Sequence, residues 1–406
     1  MKKRKGFVRE THKKKHREEK KKINIKVNFK KIFFFIFLIS LIGYTIYFFV
    51  SYTSIRTVDP TLSNGSQYYL LSQTKDSFEN TLWVFEKGYG NERKIDKVYV
   101  QIYNKDKNKS LLIYIPNWIY SKGLEESFGN AIAVSSFRYA GDFIQEGRGI
   151  EYSIWQLNQM LGIKSDSYIW FSTEAMSEYQ SIYGEISGST DSLKDNYNSK
   201  DVTEDYLFFN KFVNTYSHID SYKGASKIKD IDGLIYSDLP FRTVVSHIIE
   251  TRSLLKNRGV IAIDTSKTEY SIEELSNVGG VVNYFKNNEF DLILRKNIYT
   301  LIDRELEKER VRVEVYNGSG VGGAALQFGR KIENSGCDVV RYENAPKVVD
   351  KTVVYIVDKE SFSNSLEIID EVLAGTYELI EGRPSFMTTG DIIVVLGQDI
   401  KLMYSF

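Results

Sequence analysis

Three glycines, Gly318-x-Gly320-x-x-Gly323, stand in the stretch "NGSGVGG". They follow a strand-like run, "VRVEVY", and precede a helix-like run, "AALQFGRKIENSG". A glycine turn between a strand and a helix can cradle a pyrophosphate on the helix N-terminus, which is the chemistry of dinucleotide binding. Glu343 sits about 20 residues beyond the glycines, where such a site places the acid that holds the ribose. Two features weigh against that chemistry. The segment is too short for two mononucleotide-binding halves, and no second half follows it. A third follows from the membrane topology argued below: the turn falls outside the cell, where nicotinamide cofactors are not maintained. Glycines also have a sufficient structural role, because they permit positive φ and close approach of a helix to a strand. Asn317, Gly318, Ser319 and Gly320 are therefore read first as a structural turn. They are kept as a binding candidate only for an anion, such as a glycan phosphate or carboxylate; no dinucleotide is expected.

Other reactive residue types are sparse. The chain has one cysteine, Cys337, so no intrachain disulfide can form. Its setting, "NSGCDVV", is where a helix hands over to a strand, and the side chain reads as a small core hydrophobe rather than a nucleophile. His12, His16, His218 and His247 are scattered, with no metal-ligand spacing and no Ser-His-Asp order.

The elements that must position any site begin with a membrane segment. Ile32 to Val50, "IFFFIFLISLIGYTIYFFV", carries no charge. At about 1.5 Å per residue it spans a hydrocarbon layer of roughly 30 Å. It is longer than the apolar core of a cleavable signal peptide, and "SYTSIRT" is a poor cleavage site, so an uncleaved anchor is predicted. Residues 1–31 hold 15 Lys and Arg against three Glu, while the rest of the chain holds 39 against 50 acids. That asymmetry places the N-terminal arm in the cytoplasm beside anionic headgroups and everything beyond about Ser51 outside. The arm has few apolar residues and is read as disordered alone, and no nucleic-acid partner is expected of it.

Five segments follow: a basic cytoplasmic arm (1–31), a transmembrane helix (32–50), a polar linker (51–65), a mixed α/β domain (66–300) and a small α/β domain (301–406). In the first folded domain, "KVYVQIY" (97–103) and "SLLIYIP" (110–116) alternate like strands around a polar hairpin turn, "NKDKNK". "GIEYSIWQLNQMLGI" (149–163) has helical spacing and "SYIWFS" (167–172) reads as a strand. Residues 184–205 turn polar and read as a surface loop, and "DLILRKNIYTLIDRELEKERV" reads as a charged helix closing the domain. Beyond it, strands alternate with helices through "CDVVRYE", "KTVVYIVD", "ESFSNSLEIIDEVLAG", "YELIE" and "DIIVVLG".

A resemblance now becomes specific. "VEVYNGSGVGGAALQFGRKIENSGCDVVRYENA", "TVVYIVD" and "DIIVVLGQD" resemble the C-terminal domain of the LytR family over about residues 310–400. Cys337 stands where that family usually has an aromatic, consistent with a buried role. The LytR-CpsA-Psr family joins such a tail to a membrane-anchored domain that transfers a glycan from a polyprenyl pyrophosphate carrier to the cell wall. Arg and Asp side chains there, with Mg²⁺, hold the pyrophosphate. The middle of this chain resembles that domain over about residues 66–180. "KIDKVYVQIYNKDKNKSLLIYIPNW" lies on the family's Arg-Ser-Asp, hairpin and Ile-Pro-Arg-Asp pattern without a gap. "MLGIKSDSYIWFS" (160–172) resembles its Leu-Gly-Ile-x-x-Asp-x-Tyr segment, and "SSFRYAGDF" (135–143) resembles its Tyr-Gly-Gly region loosely.

The resemblance implies a remnant site and its defects. Lys94 falls on the family's Arg, Asp96 on its Asp, and Ile115 and Pro116 match; Asn117 and Trp118 stand where Arg and Asp should be. Asn117 lacks the permanent charge and forked donors of an arginine, and Trp118 cannot hold a metal. Arg138 and Arg148 are the candidates for replacement charge, and Asp96 is the candidate metal ligand should Mg²⁺ act. Each of these charges alone also reads as a solvated surface group. Three functional readings follow. One is a non-catalytic, single-pass envelope scaffold that binds a wall glycan, a polyprenyl-linked precursor or a partner protein. A second is an active glycopolymer transferase with a rearranged basic site, which requires Lys94, Asp96, Arg138 and Arg148 to converge. The third is a membrane-bound regulator acting through the arm, which has no folded DNA-reading motif.

Overall fold

The computed structural model describes residues 29–63, 65–72, 78–121, 132–186, 203–275, 280–299, 301 and 304–401. Most of the basic arm (1–28) and the middle of the expected surface loop (187–202) lie outside the described residues. The chain divides into two compact units, 1–47 and 48–406. In the first, helix α1 (Phe29–Ser54) begins; it is long and apolar enough to cross a membrane.

In the second unit the central strands are β1 (Phe78–Lys87), β2 (Lys94–Asn104) and β3 (Lys109–Pro116), followed by the short β4 (Tyr120–Ser121) and β5 (Ile132–Ala133). Helices α2 (Phe137–Ile144) and α3 (Gly149–Leu161) lead to β6 (Ser167–Phe171). Then come α4 (Thr173–Tyr183), α5 (Glu204–Thr215), α6 (His218–Lys223), β7 (Ile235–Ser237), α7 (Phe241–Lys256) and β8 (Val260–Asp264). Strands β9 (Ser271–Leu275) and β10 (Val281–Phe285) and helix α8 (Asn287–Ile298) complete this part. The six-stranded sheet runs β7-β6-β1-β2-β3-β8, with β1 parallel to β6 and β3 parallel to β8. A small sheet runs β5-β4-β10-β9.

Both faces of the large sheet are covered, so its strands read as continuous apolar runs. Leu82, Val84, Val98, Val100, Ile113 and Trp170 point into a core closed by α2, α3 and α8. Trp83, Phe85, Tyr99, Tyr114 and Phe171 point into an aromatic core closed by α4, α5 and α7. Helix α3 buries Ile150, Ile154, Leu157 and Leu161 at helical spacing and stops at Gly162, whose φ of 61° suits a left-handed cap. The stretch expected to be a polar linker, 51–65, is tied to the folded body. Residues 51–54 continue α1, and Val58 pairs with Tyr236, donating to Ile235 O (3.0 Å) and accepting from Ser237 N (2.9 Å). The polar sequence there serves an added edge strand whose backbone groups are satisfied by β7.

Helix α9 (Arg304–Glu309) leads into β11 (Arg312–Asn317), α10 (Ala324–Asn334), β12 (Asp338–Asn344), β13 (Val353–Ile356), α11 (Ser363–Val372), β14 (Glu378–Glu381) and β15 (Ile392–Leu396). Their sheet runs β12-β11-β15-β13-β14, with both helices packed on one face over Val313, Val315, Val354, Ile356, Val394 and Leu396. This is the expected two-layer α/β architecture, and Cys337 is buried in its core. The charged helix expected at the junction is divided between α8 and α9.

The two folded parts share a polar joint at the C-terminus of α3. Lys164, 6% exposed, donates from Nζ to Glu371 O at 2.6 Å. Burial pulls its amine down from 10.5 to about 8, against the opposing pull of Glu371, Asp166 and Asp370. The sign follows directly. Between about 8 and 10.5 the unfolded chain holds this proton and the folded chain does not, so stability rises with pH across that window. Lys164→Met is therefore expected to raise stability near neutral pH, by up to about 3 kcal/mol, and to flatten this rise. Urea midpoints of both proteins across the window check it; equal slopes would refute it.

Candidate functional site

Strands β1, β3, β6 and β8 all end at one edge of the large sheet, and the antiparallel β2 begins there. Ligands of open α/β sheets bind beyond this carboxyl edge. The register puts Lys94 opposite Lys87, and Lys97 opposite Pro116. Asn117 and Trp118 form the turn directly after β3, and Trp118 is 43% exposed. Topology thus gathers Lys94, Asp96, Asn117 and Trp118 at one edge. Arg138 reaches the same edge from α2 through Glu86.

Apart from Lys94, the charges at this edge are engaged with one another. Asp96 pairs with Lys87 across a bulge in the β1–β2 ladder. On the α2 face Arg138 pairs with Glu86, whose side chain is fully buried, and Arg93 pairs with Glu174 and lies 3.9 Å from Glu86. The Arg138 guanidinium also lies over the rings of Tyr236 and Trp170, at 5.5 and 6.0 Å from their centroids. Burial raises the Glu86 carboxyl above its ordinary range despite Arg138. Burial disfavours charge on Arg138, but Glu86 outweighs it and holds the guanidinium more firmly protonated. On the opposite face Lys97 pairs with Asp205, close to the rings of Phe208 and Tyr114. Burial, then Asp205, lifts the Tyr114 hydroxyl well above its usual value.

Arg148 is placed otherwise. It caps the start of α3, donating to Glu151 Oε2 at 2.7 and 3.1 Å and to Gln145 at 3.2 Å, and Ser66 donates to the same Glu151 oxygen at 2.6 Å. Lys94 is exposed at the first position of β2. Asp96, the one candidate ligand should Mg²⁺ act, does not fit it: it faces a lysine, and among the described residues no three His, Cys, Asp or Glu side chains converge. The partners Glu86, Arg93, Glu174, Lys97 and Asp205 were missed by the sequence reading. Glu86 ends the apolar run of β1, a strand not recognised, and that run was the available signal.

Beneath the second face an apolar cleft is lined by Phe171, Tyr179, Tyr183, Tyr216, Phe241 and Val244. Its free space is about 10 Å³, no more than a single water needs. A larger cavity of about 290 Å³ lies between Ser121, Met160 and Phe285 and the start of α8.

The glycine turn spends its polar groups on itself. Asn317 Oδ1 accepts from Ser319 N (3.1 Å) and Ser319 Oγ (2.7 Å), Asn317 Nδ2 donates to Val321 O (2.7 Å), and Ser319 Oγ accepts from Val321 N (3.1 Å). Gly320 and Gly323 take φ of 75° and 77°. A Cβ on Gly318 would stand 2.9 Å from Leu396 O. Glu343 is exposed and lies 3.8 Å from Arg341. The terminal Val-Leu-Gly-x-Asp has a matching structural account: Asp399 accepts from Thr352 N and Oγ1 (2.6–3.0 Å), and Gly397 lies too close to Lys351 for any Cβ.

Residues 310–399 match the family described as LytR cell envelope-related transcriptional attenuator. No curated protein matches the chain. Among solved structures it is similar to TagT bound to LI-WTA, at 12% identity and a TM-score of 0.37, over 57% of this chain and 96% of that one. It is also similar to Bacillus subtilis TagV, at 10% identity and 0.39, over 56% and 98%. A third is the LytR-CPS2A-psr family protein YwtF (TagT) with bound octaprenyl pyrophosphate lipid, at 11% identity and 0.35, over 57% and 96%. The match places the family likeness at residues 310–399, where the sequence itself resembles a LytR C-terminal domain.

Proposed function

We propose that the protein is a single-pass envelope scaffold, with its N-terminus cytoplasmic and its folded parts outside. Its middle domain binds a wall glycan or a polyprenyl-linked precursor without transferring it. The observation that carries this reading is the internal neutralisation of the carboxyl edge. Phosphoryl transfer needs cations free to meet developing charge and acids free to hold a metal. Here Arg138, Arg93 and Lys97 each face a carboxylate of the protein, Asp96 faces Lys87, and the β3 end offers Asn117 and Trp118. Freeing Arg138 would strand Glu86 as a buried, uncompensated charge. Asn117 and Trp118 suit a sugar better than a pyrophosphate: an amide gives neutral hydrogen bonds and an exposed indole gives a stacking face.

The ligands named for the structural neighbours supply the probes. The full chain in nanodiscs, with Mg²⁺, an octaprenyl pyrophosphate-linked glycan and wall glycan as acceptor, is expected to retain the lipid or free glycan while forming no octaprenyl monophosphate. Trp118→Ala is expected to weaken glycan retention about tenfold, from loss of one to two kcal/mol of ring contact. Octaprenyl monophosphate formation that falls in Lys94→Ala and Asp96→Ala would instead establish a working transferase and overturn this reading.

A further inference from the structure

The apolar run that begins at Ile32 ends at Val50, and at about 1.5 Å per residue this places Val50 near the edge of a roughly 30 Å hydrocarbon layer. Helix α1 does not stop there; it continues to Ser54. The residues on either side of that edge touch the folded body, all within the 48–406 unit. Phe48 meets Tyr222 of α6 edge-on, with ring centroids 5.3 Å apart. Tyr52 meets Phe241 at the start of α7, at 5.5 Å. The Arg242 guanidinium lies 5.9 Å over the ring of Phe49. A side chain that contacts Phe48 or Phe49 cannot lie far above the layer in which those two residues are immersed.

The body also has little slack by which to lift away. Gly233 N donates to Arg56 O at 3.0 Å, Arg56 N donates to Asp232 Oδ1 at 2.7 Å, and Val58 is paired with β7. Ile55, next after the helix, is buried. Only a few residues, each already bonded, separate the end of α1 from the sheet. The surface held at this level has the composition of a membrane interface. Ile219 is 66% exposed. Tyr222 and Lys223 follow it by three and four positions on α6 and so share its face. The Lys223 side chain is 72% exposed and lies 3.9 Å from Asp220 on the same helix, and Arg242 is exposed in the first turn of α7. An exposed aliphatic side chain with a tyrosine and a lysine on its face, and an arginine over Phe49 of α1, is what a lipid interface accepts: apolar groups enter the acyl boundary, and cations remain among phosphates.

We infer that α6 and the first turn of α7 form a docking face for the outer leaflet of the membrane that α1 crosses, with Ile219 inserted at the headgroup level. The inference rests on the reading of α1 as a membrane anchor. Its occupant is lipid, by continuity with the last turns of α1.

The test uses the full chain in nanodiscs with single cysteines, in a Cys337→Ala background, carrying a polarity-sensitive fluorophore. The positions are Ile219→Cys, Ile39→Cys within α1, and Met387→Cys, 89% exposed in the C-terminal domain. The Ile219 and Ile39 probes are expected to shift to the blue and to lose fluorescence to spin-labelled lipid, while the Met387 probe does neither. Quenching at Ile39 with none at Ile219 would overturn the docking face and leave the anchor standing. A blue shift at Ile219 without lipid quenching would overturn it in favour of contact between copies of the chain. No quenching at either would overturn the anchor and the docking face together.

Discussion

Arg330→Ala is expected to lower the stability of the folded body by about 3–5 kcal/mol, the cost of breaking a buried charge pair from one side. Arg330 is 6% exposed and donates to both oxygens of Asp291, from Nε at 2.7 Å and Nη2 at 2.9 Å. It also reaches the carbonyls of Gln159 and Met160 at 3.4 and 3.5 Å, the last turn of α3. Asn334, one turn on, donates to Asp291 and to the carbonyls of Leu161 and Gly162. A helix C-terminus has four carbonyls without intrahelical partners and a partial negative charge, so a guanidinium and an amide from α10 cap it from another domain. Removing the arginine leaves Asp291, 3% exposed, with a buried charge and an amide for company.

The measurement is the urea midpoint of the full chain in detergent, with limited proteolysis between α8 and α9 as a second readout. The variant should unfold at lower urea and be cut faster in that connection. Arg330→Met with Asp291→Leu should recover most of the loss, because an apolar pair of similar volume no longer carries the desolvation cost. A single variant within a few tenths of a kcal/mol of the parent would mean the joint is solvated and the C-terminal domain is loosely held.

The joint shows what the sequence could not reveal. Period and composition located β2, β3, α3, β6 and nearly every element beyond Val311, because each buries one patterned face. The outer face of α10, with Gln327, Arg330, Lys331 and Asn334, reads as a solvated surface by the same rule. It is instead the polar half of an interface, and a charge facing another domain's carbonyls has no local signature. β1 was lost for a different reason: buried on both faces, "LWVF" has no alternation to mark it as a strand. Without β1, Glu86 had no place, and Arg138 looked like a surface charge when it is a buried partner. The linker was misread because an edge strand supplied by backbone pairing asks little of its side chains.

Arg138→Ala is expected to cost about 3–5 kcal/mol near neutral pH, by the same one-sided break of a buried pair, now at the carboxyl edge. Here the pH dependence separates a structural pair from a ligand-binding cation. Glu86 is held above its ordinary range mainly by burial, with Arg138 the largest opposing influence. Removing Arg138 lifts the carboxyl further, so the folded variant takes up a proton at a pH where the unfolded chain has not. Stability then falls as pH rises through that window and is regained as pH falls toward the ordinary carboxylate range. The deficit of Arg138→Ala against the parent should therefore shrink from pH 7.5 to about pH 5. Glu86→Gln added to Arg138→Ala should remove most of the deficit and all of its pH dependence. A free replacement cation would behave in the opposite way: Arg138→Ala would leave the urea midpoint unchanged at both pH values, and only pyrophosphate-lipid retention would fall. That outcome would return Arg138 to the list of ligand-binding residues and reopen the carboxyl edge as a transferase site. Coupling between the two changes, measured as a double-mutant cycle at each pH, decides between them because only a direct pair gives a coupling that weakens on acidification.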